Sequence, residues 1–171
     1  EILMDAIVSE TDLSRLIRDA NGSHVIHTVL DKFPLSMLEP IFKLAYKTCE
    51  QLSVHQHGLC VLKKCMALVE PERFIALSKR LLQSVTKLVN DQYGNYLVQH
   101  IIDRSIINQK NAKASQTETK CNGDATGLLH KQLISRYCDL SKQKYSSNVV
   151  EKCLRVGDPD WQFEIIQELM S

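Results

Sequence analysis

The sequence has no excess of charge of either sign. Its 21 Lys and Arg meet 20 Asp and Glu, a formal net charge of +1. A protein that grips nucleic acid by phosphate neutralisation alone is usually more basic. That mode is disfavoured, while local basic residues on one face remain allowed. There is no signal-peptide pattern and no long apolar run, which predicts a soluble chain with no membrane partner, not secreted through an N-terminal signal. None of the cysteines (Cys49, Cys60, Cys65, Cys121, Cys138, Cys153) forms a Cys-x-x-Cys pair. A disulfide framework is not expected, and the compartment reads as reducing. His55-Gln56-His57 has no further ligand at zinc spacing and reads as a polar turn before a helix, so no metal is expected. The chain also lacks a phosphate-cradling glycine loop, a Ser or Cys nucleophile in motif context beside its histidines, and carboxylates paired on a repeated face. No enzyme and no cofactor is expected.

What the chain does have is repetition. Its clearest stretch is Asn-Asp-Gln-Tyr-Gly-Asn-Tyr-Leu-Val-Gln-His-Ile-Ile, from Asn90 to Ile102. Related stretches start at Gly22, Gly58 and Ser146. Gly22, Gly58 and Gly94 stand 36 residues apart, and Ser146 stands 52 beyond Gly94. A fixed period in this range is the mark of a repeat array.

The aligned columns describe the unit. Third and fourth after each anchor come Val25/Ile26, Val61/Leu62, Leu97/Val98 and Val149/Val150. Seventh and eighth come Val29/Leu30, Cys65/Met66, Ile101/Ile102 and Cys153/Leu154. This spacing predicts an amphipathic helix with one buried stripe, in which Cys65 and Cys153 serve as small apolar core residues. The variable first, second and fifth positions cluster roughly 140° from the stripe, on one exposed helix edge. Leu16, Leu52, Leu88 and Leu140 each lie six residues before an anchor and mark a short first helix. A third helix carries Ile41/Ala45, Leu77/Leu81, Leu129/Leu133 and Ile165/Leu169. It is expected to open at Ser36 with Glu39 as a capping box, at Glu70-Pro71, and at Asp158-Pro159. In the last copy it also carries Trp161 and Ile166. Three helices per unit, with faces that only neighbouring units cover, make a solenoid.

The predicted organisation is the last helix of a preceding repeat at residues 1–10, then repeats at 11–47, 48–83, 84–135 and 136–171. The third contains a polar insertion at about 108–127 with no helical period, read as a mobile, dispensable loop. The chain is expected to be truncated at both ends.

Gly-Asn-Tyr-Leu-Val-Gln-His and Ser-Asn-Val-Val-Glu-Lys-Cys resemble signatures of the Pumilio (PUF) family of RNA-binding repeat proteins. The resemblance covers nearly the whole chain and is strongest in the third and fourth units. It implies an all-α, right-handed α-solenoid, here a crescent fragment of about four three-helix PUF repeats with the second helices on the concave side. It also implies that each variable triplet reads one base of single-stranded RNA.

Asn95 and Gln99 would then meet a base edge with Tyr96 stacking. Amides both donate and accept, which suits uracil, and the family pattern implies uracil. Ser147 and Glu151 would meet an edge with Asn148 stacking. A carboxylate accepts from the two parallel N–H groups of guanine, and the family pattern implies guanine. Ser23 and His27, with His24 stacking, depart from the common combinations and leave their base open. Leu59 and Lys63, with Cys60 at the stacking place, depart further. Leucine cannot hydrogen-bond a base, and Lys63 suits a phosphate or a carbonyl of any base.

The resemblance implies a footprint that reads 5′-G-U from the C-terminal repeats, RNA running antiparallel to the protein, and a target in messenger RNA 3′ untranslated regions. It implies translational repression or decay through recruited repressor or deadenylase-type partners, by a cytoplasmic monomer. Two alternatives stay open: a nucleolar PUF-like ribosome-biogenesis factor of low sequence specificity, and a protein-binding armadillo/HEAT-type solenoid.

Overall fold

The computed structural model describes residues 10–114 and 125–171. The expected closing helix of a preceding repeat lies outside them, except for Glu10, which opens α1. All regular structure among the described residues is helical. The chain folds as two compact units, Glu1–Glu70 and Pro71–Ser171. The first contains α1 (Glu10–Arg18), α2 (Gly22–Lys32), α3 (Glu39–Lys47), α4 (Cys49–Ser53) and α5 (Gln56–Leu68). The second contains α6 (Pro71–Leu82), α7 (Val85–Asn90), α8 (Gly94–Ala114), α9 (Ala125–Leu133), α10 (Tyr137–Ser141), α11 (Ser146–Val156) and α12 (Pro159–Met170). In chain order, a first helix, an edge-bearing helix and a closing helix recur four times.

The leucine column and the anchors turn out to be two sides of one contact. A β-carbon on Gly22 would stand 2.8 Å from the Leu16 carbonyl oxygen, and one on Gly94 would stand 2.7 Å from that of Leu88. Only a residue without a side chain permits that approach. The fourth copy solves it differently. Ser146 is buried, and its hydroxyl donates to the Leu140 carbonyl at 2.8 Å.

Three residues before each glycine a side chain caps the edge-bearing helix, accepting N–H groups that the first turn cannot satisfy. Asp19 Oδ1 accepts from the backbone N–H of Asn21 and Gly22, at 2.9 and 2.7 Å. Asp91 Oδ1 accepts from Tyr93 and Gly94, both at 2.8 Å. His55 Nδ1 accepts from Gly58 at 3.3 Å, so the His-Gln-His stretch is a helix start: His55 caps, and Gln56 and His57 already lie in α5.

The apolar stripe is buried on α5 and α8 at all its positions. On α11 Val149, Val150 and Cys153 are buried and Leu154 is half-buried. Burial pushes the thiols of Cys65 and Cys153 up to about 12, so both stay protonated and act as apolar packing. On α2 the stripe is incomplete. Ile26 and Leu30 are buried, but Val29 is half-buried and Val25 is 57% exposed. Positions three and seven share one edge of the helix, and the described helices that chiefly pack on α2 are α1 and α5.

Two expectations are corrected. No capping box opens α3. A 3₁₀ turn spans Leu35–Met37, and the helix starts at Glu39 behind a buried Leu38 that gives no side-chain cap. Pro40 sets this boundary, because a residue before proline is poorly placed inside a helix and proline favours the first turn. Part of the stretch expected as a loop is helical. Residues 108–114 continue α8 and 125–127 open α9, with Gln109 Nε2 donating to Thr126 Oγ1 at 3.4 Å. Alanine, lysine and glutamine are strong helix formers, and extending a formed helix costs little even without an apolar period. Residues 115–124 lie outside the described ones.

In the closing helices Ile41, Ala45, Leu77, Leu81, Leu129, Leu133 and Ile165 are buried as expected, while Leu169 and Ile166 are exposed. Asp158 caps α12 by accepting from the Trp161 N–H at 2.9 Å. Trp161 then donates its indole N–H to Tyr137 Oη at 2.8 Å. Tyr137 is fully buried and lies 2.9 Å from His130 Nδ1, whose other nitrogen meets Glu164 at 2.7 Å. This chain ties α9, α10 and α12 together.

Candidate functional site

The triplets sit where the repeat places them, but their exposure is graded. The second-position residues His24, Cys60, Tyr96 and Asn148 are exposed in all four copies. The fifth-position residues His27, Lys63 and Gln99 are half-buried, and Glu151 is exposed. At the first position Ser23, Leu59 and Asn95 are buried and Ser147 is half-buried. The expectation that all three stand on an exposed edge is therefore corrected at the first position. At roughly 100° per residue the first position lies only about 90° from the middle of the stripe, against about 130° for the fifth and about 170° for the second.

Burial gives the first residue an internal task. Asn95 is 1% exposed. Its Nδ2 donates to the carbonyls of Asp91 and Gln92, at 2.9 and 3.0 Å. Its Oδ1 accepts from Gln99 Nε2 at 3.1 Å. The two amides form one chain, anchored in the helix start and ending on the half-buried Gln99. Ser23 likewise donates to the Ala20 carbonyl at 3.1 Å.

In the unit Pro71–Ser171, the edges of α8 and α11 face one open groove. It is lined by Tyr96, Gln99, Asn148, Glu151, Lys152 and Arg155. Four predicted residues from two successive copies are thus brought together. Lys152 and Arg155 were not foreseen. Arg155 Nη2 donates to Glu151 Oε1, one helical turn away. Lys152 reaches back to Asp103 of α8 at 2.6 Å. In the unit Glu1–Glu70, Lys64 pairs with Asp31 in the same register, sixth position of one edge-bearing helix to ninth of the one before. That hydrogen bond from Lys64 lowers the Asp31 pKa. The pairing of Asp31/Lys64 and Asp103/Lys152 columns was readable in the aligned sequence.

The other edges have different chemistry. Burial, then the Lys64 charge, holds the His27 pKa below the ordinary value, against an opposing effect of Asp31. It is a neutral donor–acceptor at neutral pH. Cys60 directs its thiol to the Gln56 carbonyl at 3.6 Å. Among the described residues no group of three or more His, Cys, Asp or Glu gathers as a metal site would require.

A helical repeat with a graded, variable edge defines a modular recognition scaffold. The profile of the Pumilio-family RNA binding repeat matches residues 14–43, 49–81, 84–112 and 136–170, and the chain belongs to that family. It is 33% identical over 156 residues to putative pumilio homolog 7, chloroplastic, and 34% identical over 158 residues to pumilio homolog 9, both from Arabidopsis thaliana. Each match covers 91% of this chain but only 21% and 24% of the relative, so the chain spans about a fifth to a quarter of their length. Among solved structures it resembles the Puf4 RNA binding domain bound to a 3′ UTR recognition sequence of HO endonuclease RNA. That match has a TM-score of 0.77 and 30% identity, over 99% of this chain and 47% of that one. It also resembles the RNA-binding domain of yeast Puf5p bound to SMX2 RNA, with a TM-score of 0.71 and 27% identity, over 93% and 43%. The fold is the PUF α-solenoid, which sets the armadillo/HEAT-type alternative aside.

Proposed function

We propose that the chain is a sequence-specific single-stranded RNA-binding segment, a binding module and not an enzyme, with one base per repeat. The observation that carries this is the groove in which Tyr96 and Gln99 stand beside Asn148 and Glu151. Two flat or amide stacking surfaces alternate there with two hydrogen-bonding heads of different polarity. That is what two successive bases need, one face and one edge each. Relatives whose solved structures hold RNA 3′ UTR sequences support the reading.

Gln99, held by Asn95, offers an amide to uracil, and Asn95 acts chiefly by fixing that amide. Glu151 offers a carboxylate to the N1–H and N2–H of guanine. With RNA antiparallel to the protein, α11 and then α8 read 5′-G-U. Ser23, His24 and His27 form a further edge of undetermined preference, and Leu59, Cys60 and Lys63 contribute little selectivity. The near-zero net charge supports base edges, more than phosphates, as the source of affinity. A target in messenger RNA 3′ untranslated regions, repression or decay through recruited partners, and a cytoplasmic monomer complete the proposal.

Fluorescence polarisation with short RNAs tests it. An oligonucleotide containing G-U is expected to bind at least tenfold more tightly than one with both bases changed. Equal affinity for both would favour the low-specificity, ribosome-biogenesis alternative.

A further inference from the structure

The proposed assignments leave one group in the groove unused. Ser147, Glu151 and Arg155 lie one turn apart in sequence along α11, so they form a row on one helix edge. Guanine presents a row of its own on its Watson–Crick edge: the N2 donor, the N1 donor, then the O6 acceptor. If Glu151 takes the two donors, the acceptor falls beside the carboxylate, toward one of its neighbours. Ser147 is half-buried. Arg155 is exposed, lines the groove, and already holds a guanidinium N–H on Glu151 Oε1. A guanidinium has five N–H donors in a planar fork, so one on the carboxylate leaves others directed alongside it. The second cation of the groove is committed elsewhere, because Lys152 is bound to Asp103.

We propose that Arg155 is a specificity-determining residue of α11, donating to O6 of the guanine whose N1–H and N2–H groups meet Glu151. This rests on the reading of α11 as the guanine-binding edge and extends it from a two-point to a three-point match. The Arg155–Glu151 pair is exposed in the free protein and contributes little to stability there. A stacked base excludes water from it, and the same contacts then strengthen. Adenine offers a donor at the place of O6 and would meet the guanidinium with a like group, so Arg155 rejects adenine as well as accepting guanine.

The test compares the wild type and Arg155→Met on RNAs that differ only at the nucleotide read by α11: G, A, U, C and 6-thioguanine. The thio base keeps both N–H donors and replaces O6 by a weaker acceptor. The substitution is at an exposed helix position, and a thermal melt confirms that the fold is kept. Arg155→Met is expected to lose about tenfold on the G RNA and little on A, U or C. The wild type is expected to lose about tenfold on 6-thioguanine, and the variant to be nearly indifferent to it. An equal loss on all RNAs means that Arg155 meets a phosphate and overturns the inference. So does a variant that stays as sensitive to 6-thioguanine as the wild type, because Arg155 then only holds Glu151. Unchanged affinities overturn it too. A wild type with no preference for G refutes the reading of α11 itself, whereas a preference left undiminished by Arg155→Met refutes the inference alone.

Discussion

The unit Pro71–Ser171 and the unit Glu1–Glu70 use the same scaffold and fill its edge differently. Both bury or half-bury the first position of each triplet and expose the second. Both pair an Asp on one edge-bearing helix with a Lys on the next. Yet α8 and α11 present Tyr96/Gln99 and Asn148/Glu151, while α2 and α5 present His24/His27 and Cys60/Lys63. The backbone does not force that difference, since capping, the Leu–Gly contact and the grading of exposure recur in both units. What holds the repeat together lies on the stripe and at the helix start. What distinguishes one repeat from another lies on an edge that can change at small cost to folding.

The largest effects lie in the core, where the comparison breaks most easily. Ile101 and Val29 occupy the same stripe column, but Ile101 is fully buried and Val29 only half-buried. Ile101→Ala is expected to cost about 2–5 kcal/mol of stability. Val29→Ala should cost about 1 kcal/mol or less. Urea unfolding of both variants measures the gap, and equal costs would mean that the stripe of α2 packs as fully as that of α8.

The edge comes next. Ser147→Asn with Glu151→Gln gives α11 the pair found on α8, and the new Asn is expected to hold the new Gln as Asn95 holds Gln99. The double variant should prefer U over G at that one RNA position, with the neighbouring position unchanged. A wrong base typically costs about 1–3 kcal/mol, or roughly tenfold to over a hundredfold. Binding to four RNAs differing at that nucleotide is the measurement. A variant that keeps the G preference would show that these side chains do not read the base.

A smaller contrast separates reading from holding. Gln99→Ala should weaken binding to RNA with U at its position and leave other bases nearly unaffected. Lys63→Ala should weaken binding about equally for every sequence and reduce the salt dependence by about one phosphate contact. If Lys63→Ala instead changes base preference, Lys63 meets a base edge and not a phosphate.

Much of the scaffold was legible because it is written four times. One copy of an apolar stripe is ambiguous, but the same stripe at Ile26, Leu62, Val98 and Val150 is not, and the leucines before each anchor mark a helix too short to show a period of its own. The site was legible by type and less so by role. Treating the triplet as one cluster hid the difference between a first position beside the stripe and a second position opposite it, so the internal bond from Gln99 to Asn95 was not anticipated. Arg155 escaped notice because it has no counterpart in the other copies, where Asp31, Ala67 and Asp103 stand at the same place. The extension of α8 to Ala114 escaped for another reason: a polar helix carries no apolar period, only propensity.

The smallest effect concerns pH and falls mainly on the unit Glu1–Glu70. Two of its histidines titrate below their ordinary value of 6.5. Burial is the main cause for both. The Lys64 charge adds to it at His27 against an opposing Asp31, and Arg18 and His57 add to it at His55. Their folded pKa values lie below the unfolded ones, so between the two the unfolded chain binds more protons. Stability is then complete above about 6.5 and falls as pH drops toward the folded values. His55 has a direct reason to follow this sign, because its Nδ1 accepts the Gly58 N–H that starts α5 and cannot do so once protonated. Both rings are partly exposed, so the loss is small. The check is urea unfolding at pH 7.5 and pH 5.5 for the wild type and for His55→Asn, which keeps a capping acceptor without a titrating group. The variant should lose less stability than the wild type over that interval, and an equal loss would place the acid sensitivity elsewhere.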